Sequence, residues 1–442
     1  MALRFGTAGV RGVYGRELGV ANIASFCAAV SRVMGEGRYG VGYDTRRGSF
    51  VLAEVACAAL MWGGRRALQM GLVPTPVVAF AAHHFRLTAA LALTASHNPP
   101  DYVGVKVFDG EGLEVGRGIE ARIEAAAKSP PSSDGFGNPL EKRGVIEEYL
   151  GRAVRSVPAV EKGMRILVDG NNGVGSLVTP RLLRTLGHQV VTVNCHLSWR
   201  FPGRSPEPRA ENLMETADLV RRIGVSIGFV HDADADRLVV IDEHGRILPD
   251  SLLSALMLRI VAQGKSGDVV VSSNSSLAVE RVAEEMGCRV VRAPLGRTSH
   301  ELYGRRGIYA TEPSKIVIPA WGPWEDGIFA AALLVQHVCS SGGLGPLLTS
   351  IPRYSYVQKD LPQTRLSDEA LKELVRRRYR GKDVNRMEEV DGIRIELKDG
   401  WVMFRRSGTE PKVRIYAEAR TESEATRLLN EAEELIRTNS NA

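Results

Sequence analysis

Short apolar strands alternate with amphipathic helices through roughly the first three quarters of this 442-residue chain, which predicts an α/β protein built from several similar units. Two further observations refine that class. The length and the 44% apolar content suit three or four domains of about 100–150 residues each. The end of the chain changes rhythm: residues 393–397, 401–405 and 413–418 read as strands of an antiparallel sheet and residues 422–436 as a charged helix, an α+β ending.

The elements follow in order. Residues 39–43 and 67–72 read as strands, 49–61 and 76–84 as helices. Residues 91–93 read as a buried strand end running into Thr94-Ala95-Ser96-His97-Asn98-Pro99-Pro100. There Asn98 favours a turn and two prolines fix φ and withhold backbone donors, so the Ser96 hydroxyl is expected in a rigid, exposed loop. A Ser, Pro and Gly-rich stretch at 129–139 reads as a surface loop before a helix at 145–154. A second unit opens with a strand at 164–169, turns through 170–175 and continues as a helix at 177–186. The glycines of that turn invite a dinucleotide reading, against which stand the G-x-x-G-x-G spacing and the lack of a clear acidic partner downstream. A third unit spans about 251–351, with strands at 268–272 and 289–292, and residues 353–362 read as a candidate hinge. The units share a rhythm but no residue-level repeat.

Composition narrows the partners. The net charge of +6 comes from 57 basic and 51 acidic residues, and no like-charge block is longer than Arg376-Arg377-Arg378. A nucleic-acid arm or polybasic membrane tail is therefore not expected; scattered arginine suits small anionic ligands. Five cysteines (Cys27, Cys57, Cys195, Cys288, Cys339) lack metal-ligand spacing and read as buried reduced thiols. The start of the sequence lacks a secretory pattern and no apolar run reaches the ~18 residues of a membrane span, so a cytoplasmic protein is expected.

Three segments carry chemistry. A serine held like Ser96 can carry a covalent intermediate when a base, a metal or a cationic pocket is near, although a capped turn would look similar. Asp232-Ala233-Asp234-Ala235-Asp236-Arg237 lies between apolar strands at 225–230 and 238–241, and carboxylates at spacing two converge on a hard cation when the backbone curls. An EF-hand fails here because Arg237 stands where its loop needs glycine and the flanks are strands; magnesium fits better, and a solvated acidic hairpin is the plain alternative. Arg405-Arg406-Ser407-Gly408-Thr409-Glu410-Pro411 follows a strand and combines a cationic fork, hydroxyls and a glycine amide, the makings of a phosphate cradle.

Together these segments resemble the α-D-phosphohexomutase superfamily of phosphoglucomutases, phosphomannomutases and phosphoglucosamine mutases. The likeness runs in order through Gly6-Thr7-Ala8-Gly9-Val10-Arg11-Gly12, Gly42-Tyr43-Asp44-Thr45-Arg46, Val73-Pro74-Thr75-Pro76, Thr94 to Pro100, Gly104-Val105-Lys106, Phe201-Pro202-Gly203, the aspartate loop and the Arg405 segment. It implies three similar α/β domains (1–150, 151–250, 251–355) and a C-terminal α+β domain (356–442) around a central cleft. It further implies that Ser96 is phosphorylated in the resting enzyme, that Asp232, Asp234 and Asp236 hold Mg2+ against the Ser96 phosphate, and that Arg237 sits beside them. Lys106 and Arg11 match positions favoured for proton transfer, and His97 follows the nucleophile. Arg405, Ser407, Gly408 and Thr409 would bind the phosphate that is not reacting. The substrates would be sugar phosphates, glucose or mannose first, with hexosamine or pentose phosphates as alternatives and glucose 1,6-bisphosphate as activator. A non-catalytic sugar-phosphate binder is the rival from another class.

One loop departs from the pattern. Where the family shows Gly-Gly-Glu-x-Ser-Gly followed by His, Lys or another residue, this chain has Ala310-Thr311-Glu312-Pro313-Ser314-Lys315, with the leading glycines replaced and the last glycine either missing or replaced by Lys315. Glu312 and Ser314 can still bond sugar hydroxyls, while Lys315 either contacts phosphate or stays solvated. His300, in Arg297-Thr298-Ser299-His300, resembles a substrate-touching position, with a buried structural role as the alternative. Val103 stands where relatives often have Asn, and Arg406 where they often have Pro.

Overall fold

Strands covered on both faces read as continuous apolar runs, and Ala89–Leu93 is the clearest case, buried at all five residues. It pairs in parallel with Arg38–Tyr43 and antiparallel with Tyr102–Asp109. Arg66–Leu72 closes one side and Val10–Val13 the other, giving a five-stranded mixed sheet. Helices Val20–Met34 and Ser49–Trp62 cover it with Ile23, Phe26, Leu52 and Leu60, all buried. The computed structural model describes residues 3–129, 133, 135–140, 144–362, 366–381, 383–406 and 412–439.

The shared rhythm proves to be a shared topology. In the first sheet Arg38–Tyr43 lies between Arg66–Leu72 and Ala89–Leu93, which follow it in sequence. Arg165–Asp169 likewise lies between Gln189–Val193 and Ile227–Val230, with Val239–Asp242 antiparallel at the edge. Asp268–Ser272 lies between Arg289–Ala293 and Tyr309–Glu312. All six of these central pairings are parallel, as strand-helix-strand crossovers require. The C-terminal sheet differs as expected. Its strands Ser355–Pro362, Lys412–Ala419, Gly400–Arg406, Ile393–Leu397 and Val384–Glu388 pair antiparallel throughout, with helices Asp368–Tyr379 and Glu422–Asn439 supplying apolar residues to its core.

The chain divides into two compact units, Met1–Leu253 with Ser314–Thr349, and Ser254–Pro313 with Ser350–Ala442. Within the first, Asp326 caps helix Gly327–Ser340 by accepting from the amides of Ile328 and Phe329 at 3.1 and 2.9 Å, worth about 1 kcal/mol. Its carboxylate also accepts from Tyr149 Oη at 2.9 Å and Trp321 Nε1 at 2.7 Å. Phe80, Tyr149, Trp321 and Phe329 form an aromatic cluster around it.

Two local expectations are corrected. Residues 177–186 do not form one helix: a 3-10 turn at Val174–Leu177 precedes a short helix Thr179–Thr185. Asn171 and Asn172 at φ 52° pull the chain into the turn, and Pro180, without an amide proton, sits where a helix starts rather than inside one. The segment 353–362 is mostly the strand Ser355–Pro362, paired at every residue with Lys412–Ala419, rather than an irregular linker.

Candidate active site

The Ser96 loop is held by one buried guanidinium. Arg46 follows the strand Arg38–Tyr43, and its Nη1 and Nη2 donate to the carbonyls of Pro99, Tyr102, Ser96 and Asn98 at 2.5–3.0 Å. Its Nε donates to Asp44 Oδ2 at 3.1 Å. Asp44 in turn accepts from Ser49 Oγ at 2.6 Å and Thr94 Oγ1 at 2.7 Å, and Thr94 Oγ1 accepts the Ser96 amide at 2.9 Å. Both backbone polar groups of Ser96 are thus tied, through Thr94 and Arg46, to Asp44. This offsets the left-handed conformation of Ser96, φ 50°, which costs a residue with a Cβ about 1–2 kcal/mol. The loop reaches the surface at Pro99, but Ser96 itself is 1% accessible rather than exposed, because its hydroxyl turns inward and donates to Asp232 Oδ2 at 2.7 Å. His97 Nδ1 lies 3.3 Å from the same hydroxyl.

Asp232, Asp234 and Asp236 sit in the connection between the antiparallel strands Ile227–Val230 and Val239–Asp242. Ala235 adopts φ 60°, which curls the loop and brings a carboxylate oxygen from each aspartate within 4.8 Å of the others. Two close approaches fix the curl. A Cβ on Gly173 would lie 2.3 Å from the Ala233 carbonyl, and one on Gly327 2.3 Å from the Arg237 carbonyl. His231 links the loop to its base, with Nδ1 2.8 Å from the Arg237 carbonyl and Nε2 3.0 Å from Thr179 Oγ1.

Cations converge on these carboxylates. Lys106, from the strand Tyr102–Asp109, donates to Asp234 Oδ2 at 3.0 Å and Asp236 Oδ2 at 2.6 Å. Lys315 lies 3.3 Å from Asp236 Oδ2 and also pairs with Glu325, so it is mostly buried rather than solvated. Arg237 Nε is 3.9 Å from Asp232 Oδ2. Thr75 donates its hydroxyl to Asp234 Oδ2 at 2.6 Å and its amide to the Asp234 carbonyl at 3.0 Å. Arg11 Nη1 donates to Asn98 Oδ1 at 2.6 Å, and its buried Nε has no partner among the described residues.

The charges sort accordingly. Burial, with Asp234 and Asp236 beside it, pushes Asp232 well above the carboxylate range. Burial acts on Asp236 too, but Lys106, Lys315 and Arg237 outweigh it and hold that carboxyl well below its ordinary value. Burial pulls the Lys106 ammonium down, and Asp234 and Asp236 more than restore it, so Lys106 keeps its proton. Burial and then the cations Arg237 and Arg11 depress His97, which is neutral at physiological pH.

Asp234 Oδ1 and Asp236 Oδ1 are buried without hydrogen-bond partners among the described residues. Two unpaired carboxylate oxygens beside a third carboxylate and a serine hydroxyl make an all-oxygen donor set, which fits a hard divalent cation.

The second unit carries most of the remaining sequence candidates. Glu312 Oε1 accepts from the Gly296 amide and Thr298 Oγ1, both at 2.8 Å, which fixes its carboxylate at the start of helix Thr298–Arg305. His300 lies in the first turn of that helix, half-buried. Arg405 donates to Asp391 Oδ2 at 2.8 Å. Ser314, in the first unit, adopts φ 63° and donates to Asp250 Oδ1 at 3.1 Å. Ser407, Gly408 and Thr409 lie outside the described residues.

The structure therefore joins Ser96, His97, the three aspartates, Lys106, Arg237 and Lys315 in one network, with Arg11 bound to the serine loop. Sequence reasoning assigned no role to Thr75, Asp44, Thr94 or Glu325 and did not see what Arg46 holds. The first three stand within motifs it had singled out; nothing marked Glu325.

The sequence matches known proteins along most of its length. Phosphoglucomutase/phosphomannomutase alpha/beta/alpha domains I, II and III match residues 2–133, 147–245 and 248–354, and the C-terminal domain matches 364–435. A phosphopentomutase from Thermococcus kodakarensis is 37% identical over 440 residues, covering 97% of this chain and 96% of its own. A probable phosphoglucosamine mutase from Thermococcus gammatolerans is 34% identical over 451 residues, covering 99% of both. The crystal structure of a phosphoglucomutase/phosphomannomutase family protein from Burkholderia thailandensis superposes with a TM-score of 0.87 at 24% identity, covering 98% of each chain, which bears on the fold alone. Fold and site thus define an isomerase of the phosphohexomutase type. The chain belongs to the phosphoglucomutase/phosphomannomutase family of the α-D-phosphohexomutase superfamily, with its four-domain α/β architecture.

Proposed function

We propose that this protein is a magnesium-dependent mutase that moves a phosphoryl group between the anomeric and the terminal hydroxyl of an aldose monophosphate, using Ser96 as the phosphoryl carrier. One observation carries the reading: the Ser96 hydroxyl is 2.7 Å from Asp232, within a buried set of three carboxylates that has unpaired oxygens. The magnesium ion, when bound, would supply charge neutralisation for a phosphoryl group on Ser96.

This chain's residues do the rest. The Arg46 clamp fixes the direction of the Ser96 hydroxyl, and positioning is most of what phosphoryl transfer asks of a protein. A phosphate on Ser96 would pass to a free sugar hydroxyl: the P–O bond to the serine breaks, the bond to the sugar oxygen forms, and the proton given up by the sugar hydroxyl is matched by one taken up at the released Ser96 oxygen. The resulting bisphosphate, turned around, returns its other phosphoryl group to Ser96. Lys106, hydrogen-bonded to Asp234 and Asp236, is placed for proton transfer. Arg11 and Arg237 offer guanidinium groups to phosphoryl oxygens. Arg405, with Ser407, Gly408 and Thr409, would hold the idle phosphate, and Glu312, Ser314 and His300 would face the sugar.

The sugar is the open choice. Glucose and mannose phosphates suit the family pattern. The departures at Ala310, Thr311 and Lys315, with relatives named for pentose and glucosamine phosphates, favour those substrates at least as strongly. The five unpaired cysteines favour a cytoplasmic enzyme. The test is a panel of glucose, mannose, glucosamine and ribose 1-phosphates offered to prephosphorylated protein with Mg2+. Isomerisation of at least one supports the mutase and names its sugar; no turnover, with Ser96 phosphorylated, speaks for a binding protein.

A further inference from the structure

Lys315 follows Ser314 in the loop that departs from the family pattern, and its ammonium joins the aspartate network. The backbone puts it there. Residue 315 begins the short strand Lys315–Val317, which bridges to Arg237 in the aspartate loop on one side and, at Val317, to Glu325 on the other. The Ser314 carbonyl accepts the Leu238 amide at 2.8 Å, and Ser314 turns the chain at φ 63°. The side chain is mostly buried, 11% accessible, with its Nζ 3.3 Å from Asp236 Oδ2 and paired with Glu325. Lys106 reaches the same Asp236 oxygen at 2.6 Å, so one carboxylate oxygen carries two ammonium groups.

We propose that Lys315 is an internal counter-ion that sets the cation affinity of the aspartate site. This rests on the reading of Asp232, Asp234 and Asp236 as the magnesium site. A second buried positive charge on Asp236 repels an arriving dication and occupies one of its oxygens. Both effects are large where solvent is excluded. Glu325 moderates them, because it shares the ammonium and gives it a seat when Asp236 turns to the metal. Without Lys315 the site would bind the cation more tightly; without Glu325 the lysine would press on Asp236 alone and the site would bind more weakly.

The experiment is calorimetric titration of the full chain with Mg2+, no sugar present. Lys315→Met is expected to bind Mg2+ at least tenfold tighter than wild type, Lys315→Arg within about threefold of it, and Glu325→Gln several-fold weaker. Should Lys315→Met fail to fold, Lys315→Gln takes its place with the same expected direction. Unchanged or weaker binding by the neutral variant overturns the proposal. Asp234→Asn separates this failure from a failure of the site itself: if wild type binds Mg2+ and Asp234→Asn does so equally well, the cation is not at these aspartates and both readings fall.

Discussion

Replacing Arg46 by lysine tests how the serine loop is held. The guanidinium donates to four carbonyls and to Asp44 from a planar fork, whereas an ammonium offers three donors from a single point. Lysine keeps the charge beside Asp44 but cannot span acceptors on opposite sides of the loop, so at least two buried carbonyls lose their partner. At about 1.5 kcal/mol for each unsatisfied acceptor the loop loses ~3 kcal/mol, or roughly a hundredfold in its local opening equilibrium. Amide exchange at Ser96 and Asn98, followed by NMR or mass spectrometry, should therefore quicken about a hundredfold, while amides of the C-terminal sheet stay unchanged. Turnover should fall with the misdirected hydroxyl, and KM should change little, because Arg46 is spent on the protein backbone rather than on substrate. Exchange within about threefold of wild type would show that the clamp is redundant with the two prolines.

Ser96→Ala should abolish uptake of one phosphate from a sugar bisphosphate, read by intact mass, together with nearly all mutase activity; uptake that persists would move the carrier elsewhere. Lys106→Met leaves Asp234 and Asp236 short of a buried partner and should cost about 3–5 kcal/mol in chelator, with much of it restored by millimolar Mg2+; an equal loss with and without Mg2+ would argue against a cation there. Burial lifts Asp326 to about 6 even though Phe329, Trp321 and Tyr149 donate to it. A folded-state value above the unfolded ~3.9 means stability that is full below pH 4 and lost as pH rises through 6, about 3 kcal/mol in all. Relative to Asp326→Asn, wild type should therefore lose stability across that window in thermal melts, and a pH-independent difference would refute the assignment.

What could be read from the sequence was what periodicity and local chemistry record. Alternating strands and helices gave the α/β class, Asn98 with Pro99 and Pro100 gave the rigid serine loop, and the spacing of Asp232, Asp234 and Asp236 gave a curled carboxylate loop. What could not be read depends on residues distant in the chain. Thr75 bonds Asp234 across 159 residues, and Ser96 turned inward because of Asp232, 136 residues away; no local pattern encodes either. The repeated topology was hidden for a related reason, since strand order constrains hydrophobicity but not identity. The pairing of Lys315 with Asp236 and Glu325 is likewise absent from the sequence pattern, which leaves a phosphate contact or a solvated charge as its readings, because the two acidic partners come together only through the strand at 315–317.

The tight backbone approaches at Gly173 and Gly327 have a genetic consequence. Three aspartates in five residues look like a compact target for mutation, yet their curl is moulded against two glycines that contribute no ligand atom. Any side chain at either position collides with the main chain of the loop, so codons far from the acidic motif share its intolerance to change. In a saturation screen Gly173 and Gly327 should score like the aspartates themselves, although neither offers them a side-chain partner.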